Sequence, residues 1–106
     1  MVINSTTIPR LTRPDWQDTP GDSQALAGTT STARWRRLLA AADALSAAEW
    51  NALRAVEGQR VTITAPPYAD RNAAWQTYYG AILERLDGRH EGPIVVGVSA
   101  EFMVRI

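Results

Sequence analysis

The sequence predicts an α+β fold: an antiparallel sheet, one flanking helix at about residues 47–57, and an extended N-terminal arm. Three stretches predict it. From Ile94 to Ile106 the even positions Ile94, Val96, Val98, Ala100, Phe102, Val104 and Ile106 are all apolar, while the odd positions include Gly97, Ser99, Glu101 and Arg105. Such period-two alternation puts one side of a strand into a core and the other toward water or a partner. Ser46-Ala47-Ala48-Glu49 is a capping box, in which the Ser hydroxyl takes an orphan N–H of the first helical turn and the Glu carboxylate returns to the Ser amide. Between Arg10 and Gly28 the pattern dissolves into Pro14, Asp15, Asp18, Pro20, Gly21, Asp22 and Ser23, residues that favour turns and loops. The division that follows is an arm over residues 1–28 and a single domain over residues 29–106.

Taken from the start, Val2-Ile3-Asn4 and Thr6-Thr7-Ile8 are short strand candidates, and the prolines confine them to a sheet edge. Trp16 stands alone in the polar arm. Its large apolar face is costly to leave in water, so it either folds back onto its own sheet or docks on a neighbouring subunit. Residues Thr29 to Ala44 support two readings. Trp35, Leu38, Leu39 and Ala42 have helical spacing among good helix formers, which favours a helix over Arg34 to Ala44. Ala33, Trp35, Arg37 and Leu39 also alternate with Arg34 and Arg36, which supports a strand from about Ala25 to Leu39 if sheet pairing overrides propensity.

Beyond the capping box, Leu45 is placed to staple onto Trp50, Trp50, Leu53 and Val56 form an apolar stripe, and Gly58 is a natural stop. Arg60 to Ala65 alternates as a strand and Pro66-Pro67 ends it. Tyr68 to Ala74 is a long connection, and Trp75 resumes the apolar pattern. The strand that follows offers Tyr78, Ile82 and Leu86 on one face and Tyr79, Ala81, Leu83 and Arg85 on the other. Asp87 to Pro93 reads as a charged turn leading into the last strand.

At 106 residues the chain is one domain at most, with a small core that assembly would reinforce. Net charge is zero, so no long-range field steers it to nucleic acid or an anionic membrane. All 11 basic residues are arginine. Coding bias in a GC-rich genome accounts for that, and the many alanines fit; the functional reading is that arginine's planar fork suits subunit interfaces. Without cysteine there is no disulfide, thiolate metal site or thiol nucleophile. No apolar run approaches the roughly 20 residues that span a bilayer. The start lacks the basic-then-apolar pattern of a signal peptide, so a cytoplasmic site of synthesis is expected.

Catalytic chemistry finds no constellation. His90, the single histidine, lies in the predicted charged turn with no nucleophile or set of metal ligands beside it, and reads as a solvated or interface residue. The carboxylates are scattered; a cross-strand pairing of Glu101 with Arg85 is the ordinary expectation. Gly88 and Gly92 have no following helix and do not build a phosphate loop. Trp35, Trp50 and Trp75 each sit in an apolar pattern, so core or subunit packing is preferred to nucleic-acid stacking. No enzyme activity, cofactor or metal is expected. Composition and motifs alone describe a sheet-containing domain and no specific activity.

A family resemblance goes further. It is carried by Ala44-Leu45-Ser46-Ala47-Ala48-Glu49-Trp50, Gly58-Gln59-Arg60-Val61-Thr62-Ile63, Thr77-Tyr78-Tyr79-Gly80-Ala81-Ile82-Leu83 and Val98-Ser99-Ala100-Glu101-Phe102. In this order of helix, strand, loop, aromatic strand and closing strand, the chain resembles small tail proteins of long-tailed bacteriophages. It is similar to the ring-forming domain of distal tail proteins, which is related to tail tube proteins. The resemblance implies an antiparallel β-sandwich or barrel-like sheet with a flanking helix, and a structural role at the tail tip or tube junction. Copies would assemble as a ring, with six-fold symmetry the expected arrangement, beside other tail proteins. The protein would reside in the virion tail after assembly in the host cytoplasm, binding no membrane, and no nucleic acid beyond lining a channel. The arm and loops would make the contacts, through Trp16, Tyr68, Arg71, Arg89 and His90. On that reading Trp16→Ala leaves the fold intact and weakens assembly. The alternative is a cytoplasmic adaptor or small ligand-binding domain unrelated to virions, with a pocket between helix and sheet.

Overall fold

The alternating stretch at the C-terminus forms the strand around which the sheet is built. A computed structural model describes residues 1–20 and 35–105. Its elements are β1 (Val2–Ile3), β2 (Thr6–Thr7), β3 (Thr12–Pro20), β4 (Trp35–Ser46), α1 (Ala47–Arg54), β5 (Arg60–Ala65), β6 (Gln76–Glu91) and β7 (Ile94–Arg105). The described strands form one antiparallel sheet in the order β2-β1-β5-β6-β7-β4-β3, curled into a half-barrel. The mostly antiparallel sheet and the single short helix agree with the predicted class.

Residues 1–20 are built into this sheet rather than standing off as an arm. β1 and β2 close one edge through the two-residue turn Asn4-Ser5, whose φ values of 51° and 73° are those of a type I′ hairpin. Asn4 anchors the turn to β5: its Oδ1 accepts from the Thr62 amide at 2.8 Å, and its own amide donates to the Thr62 carbonyl at 2.8 Å. The Met1 amino group donates to the carbonyls of Ile8 (3.1 Å) and Leu11 (3.0 Å), and burial holds its pKa below the usual value. β3 forms the other edge, in a stretch predicted to be irregular. Its ladder with β4 slips twice, between Thr12 and Asp15 and between Trp16 and Pro20, and an edge position is where a strand tolerates proline.

The helix predicted over Arg34 to Ala44 is a strand from Trp35 onward; the predicted strand segment 25–34 lies outside the described residues. β4 pairs with β7 along its whole length, from Trp35 opposite Arg105 to Ser46 opposite Ile94. Leu38, Ala40 and Ala42 alternate on its buried side. Ladder bonds on both flanks and burial of one face outweigh the modest helix preference of alanine.

α1 follows its local code. Ser46 Oγ accepts from the Glu49 amide at 3.2 Å, and Glu49 Oε1 accepts from the Ser46 amide at 3.0 Å. Trp50 and Leu53 are its buried residues. The helix ends three residues before the predicted 57, because the chain tightens into i to i+3 bonds such as Val56 to Leu53 and Glu57 to Arg54.

The β6–β7 hairpin is longer than predicted. Asp87 to Glu91 belong to β6, and Gly92-Pro93 alone makes the turn. Its two faces are also mixed relative to the simple alternation. The β5–β6 register gains one residue on β6 at Gly80 (φ 70°), and the β6–β7 register gains one at Glu84 and another on β7 at Gly97 (φ 61°). Glycine enters this left-handed conformation without a Cβ clash, which suits it to a bulge. Each inserted residue flips the parity. On β6, Tyr78, Ala81, Leu83 and Leu86 therefore share the buried side; on β7, Val95 is buried before Gly97 and Val98, Ala100, Phe102 and Val104 after it. The same bulges bend the sheet and increase its twist, which is how a single sheet curls around its own core.

Candidate functional site

Trp16, Tyr68 and Arg71, three of the five predicted contact residues, meet at one end of the sheet. β3 carries Trp16 opposite Leu38 on the concave side, where it is 2 % exposed. Its indole N–H donates to the Pro66 carbonyl at 2.8 Å. The rings of Tyr68 and Tyr78 meet it edge-on, with centroids at 5.5 and 5.4 Å. Tyr78 Oη in turn accepts from the Tyr68 amide at 3.1 Å. Arg36 donates from Nε to Tyr68 Oη at 3.1 Å, with its guanidinium carbon 5.3 Å from that ring's centroid. Arg71 donates from Nη2 to the Trp16 carbonyl at 3.2 Å and pairs through Nη1 with Asp15 at 3.4 Å. The long connection after Pro66-Pro67 is thus pinned onto β3. Of the two destinations open to Trp16, the chain takes its own sheet, where a buried hydrogen bond and edge-on aromatic contacts hold it. In this conformation its face is unavailable to a neighbour, so the expectation that Trp16→Ala spares the fold is reversed.

Arg89 and His90 lie near the far end of β6, on the order of 35 Å away at about 3.3 Å per residue. Here the side chains are exposed. Arg89 pairs with Glu91 at 2.6 Å and Arg85 with Asp87 at 2.8 Å. Arg85 also stands opposite Glu101 in the ladder, the cross-strand neighbour the sequence suggests, although its close partner is Asp87. His90 turns to the other side and meets Trp50 edge-on at 5.8 Å. Trp50 fits there because residue 88 is glycine: a Cβ would come within 2.7 Å of Val95 Cγ1 and 2.8 Å of Trp50 Cζ3.

The exposed aromatics were not singled out by the sequence. Tyr79 is 79 % exposed and Trp75 50 % exposed, beside the pinned connection. Tyr79 and Thr77 share the side of β6 opposite Tyr78, and Trp75 continues the same parity. That alternation was the available signal; it was hidden because Tyr79 reads as part of an apolar run with Ala81 and Leu83.

Among the described residues, no three of His, Asp and Glu come together as metal ligands, and no helix is long and apolar enough to cross a membrane. A hollow of about 50 Å³ lies between α1 and the first strands, lined by Ile3, Ile8, Leu53 and Val56 among others. An open depression of about 470 Å³ lies on the hairpin, lined by Gly88, Arg89, Val96 and Gly97. Glu84 Oε2, at the bulge, is buried without a hydrogen-bond partner, an arrangement that costs stability. Compared with known proteins, the chain matches no family model, no curated protein and no solved structure.

Proposed function

We propose that this chain is a structural subunit of a bacteriophage tail, at the tail tip or tube junction, that assembles as a ring with copies of itself. The resemblance of the stretches from Ala44 to Phe102 motivates the reading. The observation that carries it is the exposure of Tyr79 on β6 and of Trp75 just before it. Large aromatics held in place before contact lose little entropy on binding and are frequent anchors of protein interfaces. The sheet edges favour contact through faces and loops over strand addition, because β2 has two residues and β3 contains Pro14. Fuller closure of the half-barrel into a barrel-like or sandwich layer belongs to the same proposal. In this assembly Trp16 stiffens the subunit, while Trp75 and Tyr79, joined by Arg89 and His90, face neighbours.

The adaptor or ligand-binding reading draws less support. The hollow beside α1, about 50 Å³, is far below the roughly 300–1,000 Å³ of small-molecule sites.

Light scattering behind a sizing column, over a range of concentrations, tests the proposal. A closed ring, or a concentration-dependent climb toward one, is expected, and a paired Trp75→Ser and Tyr79→Ser variant should lower the mass with its circular dichroism unchanged. A chain that stays monomeric at every concentration, alone and mixed with tail tube protein, would overturn it.

A further inference from the structure

We propose that the outer face of the β6–β7 hairpin pairs with the same face of a second copy, about a two-fold axis passing at Gly88. Arg85, Asp87, Arg89 and Glu91 occupy successive outward positions on β6, with signs plus, minus, plus, minus. Their common face is shown by the two i, i+2 ion pairs, Arg85 with Asp87 and Arg89 with Glu91. Leu86 is buried, and His90 meets Trp50, on the opposite side of the strand.

This order is self-complementary under one operation. If a second β6 runs antiparallel across the first with Gly88 opposite Gly88, Arg85 meets the second copy's Glu91 and Asp87 meets its Arg89. By symmetry the other two contacts are the same pairs, so all four join opposite charges. A slide by two residues sets like charges against each other, so the pattern selects the register as well as the partner. An arginine and a carboxylate side chain together can bridge the roughly 10 Å between facing sheets.

The surroundings fit that contact. At the proposed axis lies the open depression of about 470 Å³, lined by Gly88, Arg89, Val96 and Gly97, which leaves room between the charged positions for the second copy's side chains. Ile94, 37 % exposed, supplies apolar surface beside Glu91. Exposed ion pairs are individually weak, so the dimer is a low-affinity one that salt dissociates. Such a contact needs no ring: it is isologous and by itself closes at two copies.

Charge reversal tests it. Asp87→Arg turns the two Asp87–Arg89 contacts repulsive, and so does Arg89→Glu. Each variant alone should associate at least about tenfold more weakly than the parent in sedimentation velocity at low salt. The double variant Asp87→Arg/Arg89→Glu restores opposite charges at all four contacts and should recover dimerisation. An equimolar mixture of the two single variants should form a mixed dimer, since every contact between them is again plus to minus. These side chains are exposed, so thermal unfolding should show each variant folded. Parent protein that does not dimerise at low salt, or single variants that neither lose self-association nor pair with each other, would overturn the inference. A ring that persists through both single reversals would overturn it while leaving the assembly proposal standing.

Discussion

At one end of β6, Tyr78 closes over Trp16 and Tyr68, and Arg36 and Arg71 tie the adjoining chain down. At the other end, His90 lies open against the edge of Trp50, and Arg85 and Arg89 pair with their strand neighbours Asp87 and Glu91. Both ends combine aromatic rings with arginines. The difference is in what surrounds them. The Trp16 end is roofed by β3 and the connection after Pro67, so its rings exchange water for protein contacts and their polar edges find fixed partners. The hairpin end projects beyond such cover, and its charges stay hydrated. Similar residue types are packed under cover at one end and stay exposed to solvent at the other.

The largest test of that contrast is Trp16→Ala. Loss of a buried tryptophan should cost about 3–5 kcal/mol, a large part of a typical stability of roughly 5–15 kcal/mol, and it removes the donor to the Pro66 carbonyl. Urea titration should show a steep fall in the midpoint; a change under about 1 kcal/mol would mean that the roof over Trp16 is dispensable. Next comes Gly88→Ala, the position at the hairpin end where packing is tight. Its Cβ must displace Trp50 or Val95, so a loss of about 1–3 kcal/mol is expected, with altered tryptophan fluorescence. Ser46→Ala, which removes the cap of the helix carrying Trp50, should cost about 1 kcal/mol by the same titration. The smallest effects should come from the exposed arginines. Arg71→Ala and Arg89→Ala should each change stability by less than about 1 kcal/mol. They should part in a second readout: Arg71→Ala should speed proteolysis between residues 68 and 74, and Arg89→Ala should not.

Local codes were the readable part of this fold. The capping box, the strand Arg60–Ala65 and the alternating last strand each depend on residues within a few positions of one another, and each forms where the pattern places it. Three features resisted. β4 looks helical because its alanines and arginines favour a helix locally, and only β7 and β3 on its flanks make it a strand. β3 looks irregular because Pro14 and its polar neighbours resemble a loop, and an edge position makes them tolerable. The faces of β6 and β7 were mixed because single inserted residues at Gly80, Glu84 and Gly97 reverse the parity, and a pattern of apolar positions carries no mark of an insertion. Of the predicted contact residues, Arg89 and His90 are exposed as a contact would need, whereas Trp16 hydrogen-bonds to a residue 50 positions away that no local pattern connects to it.

By itself, then, the sequence determined where the capped helix begins, where the strands Arg60–Ala65 and Ile94–Arg105 lie, and that the class is an antiparallel sheet with one capped helix. These follow from short-range sterics and hydrogen bonding, which every chain with those residues would feel. Tertiary structure alone decided the strand order, the bulges that curl the sheet, and which rings are covered. Those outcomes depend on pairings between distant segments, where the free energy of burying a face together outweighs the preference of any one segment.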